Sequence, residues 1–398
     1  MALLSVRDPV HGFIHADALE TELVASRPLQ RLRSIRQLGL THLIFPGAEH
    51  SRFSHALGAM HLAGRLYDAL AAKSDGLLDH GPRAPGRRAL RAAALLHDVG
   101  HAPFSHTAES LFDQPIDHEE MTRRLLGLPE IETAFERHDG DLEFVLRLLS
   151  GEVEGPTRLL AQAMSGELDV DKMDYLLRDS MFCGVQYGRF DLDRILDTVV
   201  PIQDPESGRW GLGVEQGGVH ALEALVLARY YMFTQVYFNP TSKALELHLN
   251  EWLRESGRRW PADPEGFLEL DDVEVMVELR RSPSPHARAI VDRRHYPLAF
   301  ETGEHLSADQ RQRFSAILAE VAAVLAPGDL LCSHSAKDPH RLEASGVLVR
   351  HRDGRLEPLA AASHFIRHLG RIERFRVYAP PARCAAVAAE IGRRWRET

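Results

Sequence analysis

The 398 residues carry 47 basic and 57 acidic side chains, a formal charge of −10 at pH 7. A hydrophobic content of 44% with 26% charged residues excludes a mainly disordered chain, and the acidic balance argues against a broad nucleic-acid surface. No stretch approaches the ~20 apolar residues of a transmembrane helix.

The length predicts two or three structural units. Residues 8–17, DPVHGFIHAD, read as a turn or small hairpin. Helical periodicity begins near Ala18, with Leu19, Leu23, Leu29, Leu32, Ile35 and Leu38, and is interrupted at Pro28. Gly39 suits a helix end. A loop, THLIFPGAEHSR, precedes a strong helix from Phe53 to Lys73. ALRAAALLHDVGH is a second apolar helix, stopped near Gly100 and Pro103. Further helical patterns cover 117–149, 157–178 and 192–199. QDPESGRWGLGVEQGG reads as a hairpin or a loop with short strands. Val219 to Arg254 reads as one long helix interrupted at Asn239-Pro240.

The tail changes character. Ser307 to Leu325 is helical, DLLCSH and RFRVYAP are strand-like, and Asp353-Gly354 marks a hairpin. The expected fold is mainly α: a helical body over 1–309 and a small α+β unit over 310–398. The opening residues show no secretory signal. Cys183, Cys332 and Cys384 are far apart and form no CxxC pair, against a disulfide framework or a thiolate zinc site. A cytoplasmic setting is expected.

All but four of the basic residues are arginine; the lysines are Lys73, Lys172, Lys243 and Lys337. Histidine is frequent, at 22 residues. The strongest local signal is His97-Asp98, followed by Gly100-His101, Pro103, Ser105 and His106. Adjacent histidine and carboxylate offer one nitrogen and one oxygen ligand, a set that suits several divalent ions. His55 lies upstream at the start of its own helix. Downstream, Asp171, Tyr175, Arg178 and Asp179 fall on one helical face. Arg87, Arg88 and Arg91 read as a solvated basic face. His11, His15, His42, His50 and His61 read as loop or core histidines.

The order His55, His97-Asp98, Asp171 resembles the HD superfamily of metal-dependent phosphohydrolases. DPVHGFI, PLQRLRSIRQLG, FPGAEHSRFSHALG, LLHDVGHAPFSH, DHEEM and DVDKMDYLLRD occur in that sequence. Together they are similar to its deoxynucleoside triphosphate triphosphohydrolase (dNTPase) branch. The resemblance implies an HD helical core with His55, His97, Asp98 and Asp171 holding one divalent ion. Manganese, magnesium, iron, zinc, nickel and cobalt all fit such ligands, and a further magnesium can accompany the substrate phosphates.

The same resemblance implies cleavage of dNTPs at the α-phosphorus, releasing deoxynucleoside and inorganic triphosphate. His106 is the implied proton donor, with His118 as alternative, His101 beside the phosphate and Glu109 tuning a histidine. Arg52, Lys172 and Arg229 are implied phosphate ligands. Gln37 and Leu38 are implied at the sugar and base. Tyr175 and Asp179 match substrate-contacting positions, and Tyr237 packs on the deoxyribose. Asp174 reads as structural. A homo-oligomer, dimer or tetramer, is expected. The competing readings are a phosphohydrolase acting on another nucleotide or nucleic-acid end, and a non-catalytic nucleotide sensor.

Overall fold

A computed structural model describes residues 4–104, 111–323, 330–338 and 347–396. Among these, the helices of ten or more residues are α1 (Arg52–Ala71), α2 (Pro85–Leu96), α3 (Val170–Phe182), α4 (Val219–Met232), α5 (Pro240–Ser256), α6 (Asp272–Arg281), α7 (Ala308–Ala322) and α8 (Pro381–Arg396). The strands are β1 (Leu4–Asp8), β2 (Gly12–Ala16), β3 (Val199–Gln203), β4 (Trp210–Glu215), β5 (Leu298–Glu301), β6 (Leu331–Lys337), β7 (Leu348–Arg350), β8 (Leu356–Pro358) and β9 (Ile372–Tyr378). The fold is mainly α with small sheets, as expected. Among the described residues no helix is long and apolar enough to cross a membrane.

Helix α1 is buried along most of its length and packs between α2 and α3. Its small residues allow that close approach. A Cβ on Gly58 would lie 1.9 Å from Asp174 Oδ1, and one on Gly64 would lie 2.7 Å from Arg91 Nη1. Helix α2 starts with Pro85 in its first turn, where a missing N–H costs nothing. It delivers His97 at its C-terminal end.

The pattern read as one helix over 157–178 is two helices, Arg158–Met164 and α3. The break has a local cause. Asp169 accepts a hydrogen bond from Lys172 N at 2.7 Å and caps α3, an alternative to continuing the helix. The long helix expected over 219–254 divides into α4, a π-helical turn at Phe233–Tyr237, and α5. Asn239 caps α5 through Thr241 N and Ser242 N.

β1 and β2 form the hairpin read in DPVHGFIHAD. β3 and β4 form a second hairpin, extended by β7 and β8 into the order β3-β4-β7-β8. The β4–β7 pairing is parallel, and β7–β8 is the hairpin at Asp353-Gly354. A third, antiparallel sheet has the order β5-β9-β6. Both larger sheets join strands from either side of residue 309. The main core fills the helical body and reaches Val347, Val349, Leu359 and Ile366. A second core lies among α7, α8 and β9, built on Phe314, Ile317, Val377, Val387 and Ile391.

Arg91 corrects the solvated reading of the 87–91 cluster. It is buried, with Nε 2.5 Å and Nη2 2.7 Å from the two oxygens of Glu20. On an α2 face packed against α1, only a paired guanidinium is tolerated.

Candidate metal centre

Three helix ends converge on one point. His55 comes from the first turn of α1, His97 from the end of α2 and Asp171 from the first turn of α3. One donor atom from each lies within 4.8 Å of the other two. Asp171 Oδ1 is 3.0 Å from His55 Nε2 and 3.6 Å from His97 Nε2. Both Nε2 atoms are buried without a hydrogen-bond partner.

The other ring nitrogens are fixed from behind. His55 Nδ1 donates to Asp174 Oδ2 at 2.8 Å, and His97 Nδ1 donates to the Ala94 carbonyl at 2.9 Å. Each ring therefore presents an Nε2 lone pair inward, the arrangement that orients imidazole for a metal. Two imidazoles and a carboxylate, with two orphaned nitrogens, fit a divalent cation.

Asp98 adjoins this group, with Oδ1 3.3 Å from His97 Nε2 and Oδ2 3.8 Å from His55 Nε2. It also binds the Arg52 guanidinium through Oδ2, and its Oδ1 lies 3.2 Å from His101 Nε2. Gly100 lets the His118–Leu126 helix pack close here. A Cβ at that position would lie 2.1 Å from the His118 carbonyl and 2.4 Å from Thr122 N.

The electrostatics favour a cation. Burial opposes charge on His55, yet Asp171 and Asp174 push its pKa up to about 10. Burial also opposes charge on Asp98 and Asp171. Arg52 and His97 hold the first well below the usual carboxylate range, and His55 and His97 do so for the second. The field that draws a proton to these nitrogens would draw a metal ion in its place. His101 is pushed down to about 3, first by burial and then by Arg52.

A cleft of about 980 Å³ opens beside the group. Gln37, Leu38, Arg52, Asp171, Lys172, Tyr175, Asp179, Arg229 and Tyr237 all line it. A second cavity of about 570 Å³ holds His97, Asp98, His101 and His118, and shares Gln37, Arg52, Asp171 and Tyr175 with the first. The His101 and His118 rings stack with centroids 4.3 Å apart. His106 and Glu109 lie outside the described residues.

The cleft side chains are held by specific partners. Lys172 Nζ donates to the Gly166 carbonyl at 2.7 Å and pairs with Asp169. Arg229 Nη1 is 3.7 Å from Glu167 Oε2. Asp179 accepts from Tyr237 Oη at 2.7 Å and from His50 Nε2 at 2.8 Å. Burial and Asp179 raise the Tyr237 hydroxyl pKa well above its ordinary value. The Oε1 of Gln37 is buried without a partner.

Arg178, on the face expected, points to carboxylates away from the cleft lining. It is fully buried, donating to Asp174 through Nε and Nη2 and to Asp8 through Nη1 at 2.8 Å. At ~100° per residue, it stands between Asp171 and Asp174, and the deep carboxylates draw it inward. Sequence reasoning left His11 and His50 without a role. His11 Nε2 donates to Asp174 Oδ1 at 2.7 Å, so both histidines brace carboxylates of α3. Their partners lie more than 120 residues away, so local spacing carried no signal. Lys243, Glu246, Asn250 and Lys337 also line the cleft and were likewise missed.

The chain matches the family models described as HD domain, over residues 52–178, and HD associated region, over 190–393. The Bacillus subtilis protein YwfO, itself uncharacterised, is 36% identical over 68% of this chain and 61% of its own length. A Dictyostelium discoideum protein named as a deoxynucleoside triphosphate triphosphohydrolase SAMHD1 homolog is 28% identical over 67% of this chain and 53% of its own. This chain thus spans less than two thirds of either relative. A crystal structure of a hypothetical protein from Aquifex aeolicus superposes with a TM-score of 0.83 at 30% identity, covering 98% of this chain and all of that one.

Proposed function

The chain belongs to the HD domain family, and on that premise we propose that it is a metal-dependent dNTP triphosphohydrolase, converting dNTP to deoxynucleoside and inorganic triphosphate. One observation carries this reading: Asp171 of the metal-ligand group lines a cleft together with Gln37, Arg52, Lys172, Tyr175, Arg229 and Tyr237. A generic phosphatase has no need of that second set.

His55, His97, Asp98 and Asp171 would hold the ion, which when bound supplies Lewis acidity at the α-phosphate and offsets phosphate charge. Arg52, Lys172 and Arg229 hold the triphosphate in line, the main task in phosphoryl transfer. Gln37 offers its unpaired Oε1 to a sugar hydroxyl. Tyr237, fixed by Asp179, packs against the deoxyribose and leaves no room for a 2′-hydroxyl. The departing 5′-oxygen needs a proton. His106 is the residue we assign to give it, with His118 as the alternative, His101 beside the phosphate and Glu109 in support. A cytoplasmic homo-oligomer, dimer or tetramer, belongs to the same reading.

Product analysis tests it. Protein loaded with single metals is incubated with each dNTP and NTP and with mixtures, and products are resolved by ion exchange. Deoxynucleoside with intact triphosphate, abolished by His97→Ala and Asp98→Ala, is the expected result. Inorganic phosphate or pyrophosphate as product assigns a different phosphohydrolase. Tight dNTP binding without turnover under any metal assigns the sensor.

A further inference from the structure

Three of the four lysines of this arginine-rich chain, Lys172, Lys243 and Lys337, line the same cleft. The fourth, Lys73, donates to the Val199 carbonyl at 3.1 Å and does not line it. An ammonium is a compact donor on a flexible stem, whereas the guanidinium is a rigid planar fork. The cleft is therefore where this chain departs from its own habit.

The three lysines come from different elements, α3, α5 and β6. Lys172 follows the metal ligand Asp171. Lys243, Glu246 and Asn250 recur at helical spacing on α5, and Lys337 ends β6 in the sheet that joins the C-terminal strands. None of these last four lines the second cavity with His97 and Asp98. Lys172 does not line it either, but it is the chain neighbour of Asp171.

Aromatic rings line the same cleft. Tyr175 and Tyr237 have centroids 6.2 Å apart, and Tyr237 and Phe233 5.0 Å apart. Lys337 Nζ stands 5.2 Å from the Phe233 centroid. Lys243 Nζ is 2.6 Å from Glu246 Oε2. Flat rings suit a flat heterocycle, as base–aromatic stacking does elsewhere. A wall with donor-only ammonium groups, an acceptor-only carboxylate and an amide suits an edge that carries both acceptors and donors.

We propose that the wall of Lys243, Glu246, Asn250 and Lys337 reads the edge of the nucleobase, with Lys337 donating to a keto oxygen of the base. The inference rests on the nucleotide reading of the cleft given above. It makes the C-terminal sheet part of the substrate site. Keto bases offer such an acceptor, guanine at O6 and thymine at O4, whereas adenine presents an amine at the matching position. Lys337 thus favours dGTP and dTTP over dATP.

Site-resolved amine labelling tests the placement on the unaltered protein. The protein is briefly acetylated with an N-hydroxysuccinimide ester, alone, with inorganic tripolyphosphate or with excess dNTP, and each lysine is followed by mass spectrometry. Tripolyphosphate is expected to protect Lys172 and leave Lys243 and Lys337 reactive. A dNTP should protect all three, with Lys73 reactive throughout. Protection of Lys172 by dNTP while Lys337 still reacts overturns the proposal, as does protection of Lys337 by tripolyphosphate alone. If no dNTP protects Lys172 and none is hydrolysed, the proposed function fails and this inference fails with it. Kinetics give the second readout. Lys337→Met should lower kcat/KM for dGTP and dTTP relative to dATP on the order of tenfold, the size of a lost base contact. An equal loss for all four dNTPs would contradict base reading.

Discussion

Asp174 accepts a hydrogen bond from His55 Nδ1 at 2.8 Å on the same helix that carries Asp171 to His55 Nε2 at 3.0 Å. One helix thus holds the ring from behind and faces it in front. Asp174 also binds Arg178 and His11, so it is both a support for a metal ligand and the hub of a buried ion network.

Asp174→Asn keeps an acceptor for His55 but loses the charge. Metal affinity should fall about 10–100-fold, measured by titration calorimetry of the folded variant. Asp174→Ala should cost about 3–5 kcal/mol in denaturant unfolding, because Arg178 stays buried with one carboxylate removed.

Gly58→Ala tests the same contact from the α1 side. Its Cβ would lie 1.9 Å from Asp174 Oδ1 and 2.3 Å from Arg178 Nη2, and both groups are locked. A loss of about 1–3 kcal/mol is expected from overpacking, together with weakened metal binding. Gly303→Ala is the control, since nothing lies within 4 Å of its added Cβ. Equal melting temperatures for the two variants would refute the steric account.

A divalent ion that binds only the folded protein must raise its stability. At about 100 times Kd the gain is about 2.7 kcal/mol, seen as an upward shift in calorimetric melting that a chelator reverses. His97→Ala and Asp171→Asn should abolish the shift. A variant that still responds in full would remove its residue from the ligand set.

The pair His248–His286 predicts a pH dependence away from the metal site. His248 Nδ1 lies 2.9 Å from His286 Nδ1, and its Nε2 accepts from Tyr296 N at 3.0 Å. Burial, with His286 and His295 nearby, pushes its pKa down to about 3. The unfolded chain then binds the extra proton below about pH 6.5. Stability should therefore fall as pH drops from about 6.5 toward 3, by about 2 kcal/mol at pH 5. His248→Gln should flatten that slope in denaturant unfolding between pH 7 and 5, with the metal-site histidines unchanged.

The motifs were legible because each is local. His97-Asp98 at a helix end and Gly100 just after it are short-range patterns, whereas the start of a new helix just before Asp171 was not read. Turn residues placed the hairpins at Gly12, at 203–218 and at Asp353-Gly354. The break at Ser165-Gly166 was less visible: one helix ends at Met164 and Asp169 caps the start of the next.

Sequence alone therefore determined the helical body, the histidine and carboxylate donors and the family they mark, since these depend on residue type and spacing. Tertiary structure decided which partner each charge took. Asp174 turned inward to His11, His55 and Arg178, Asp179 braced Tyr237 and His50, and Arg91 sank onto Glu20. Each is a long-range contact, and burial forces every such charge to find a partner that no local pattern names. The cleft wall from α5 and β6 is of the same kind, because only the folded chain brings Lys243 and Lys337 together beside Phe233.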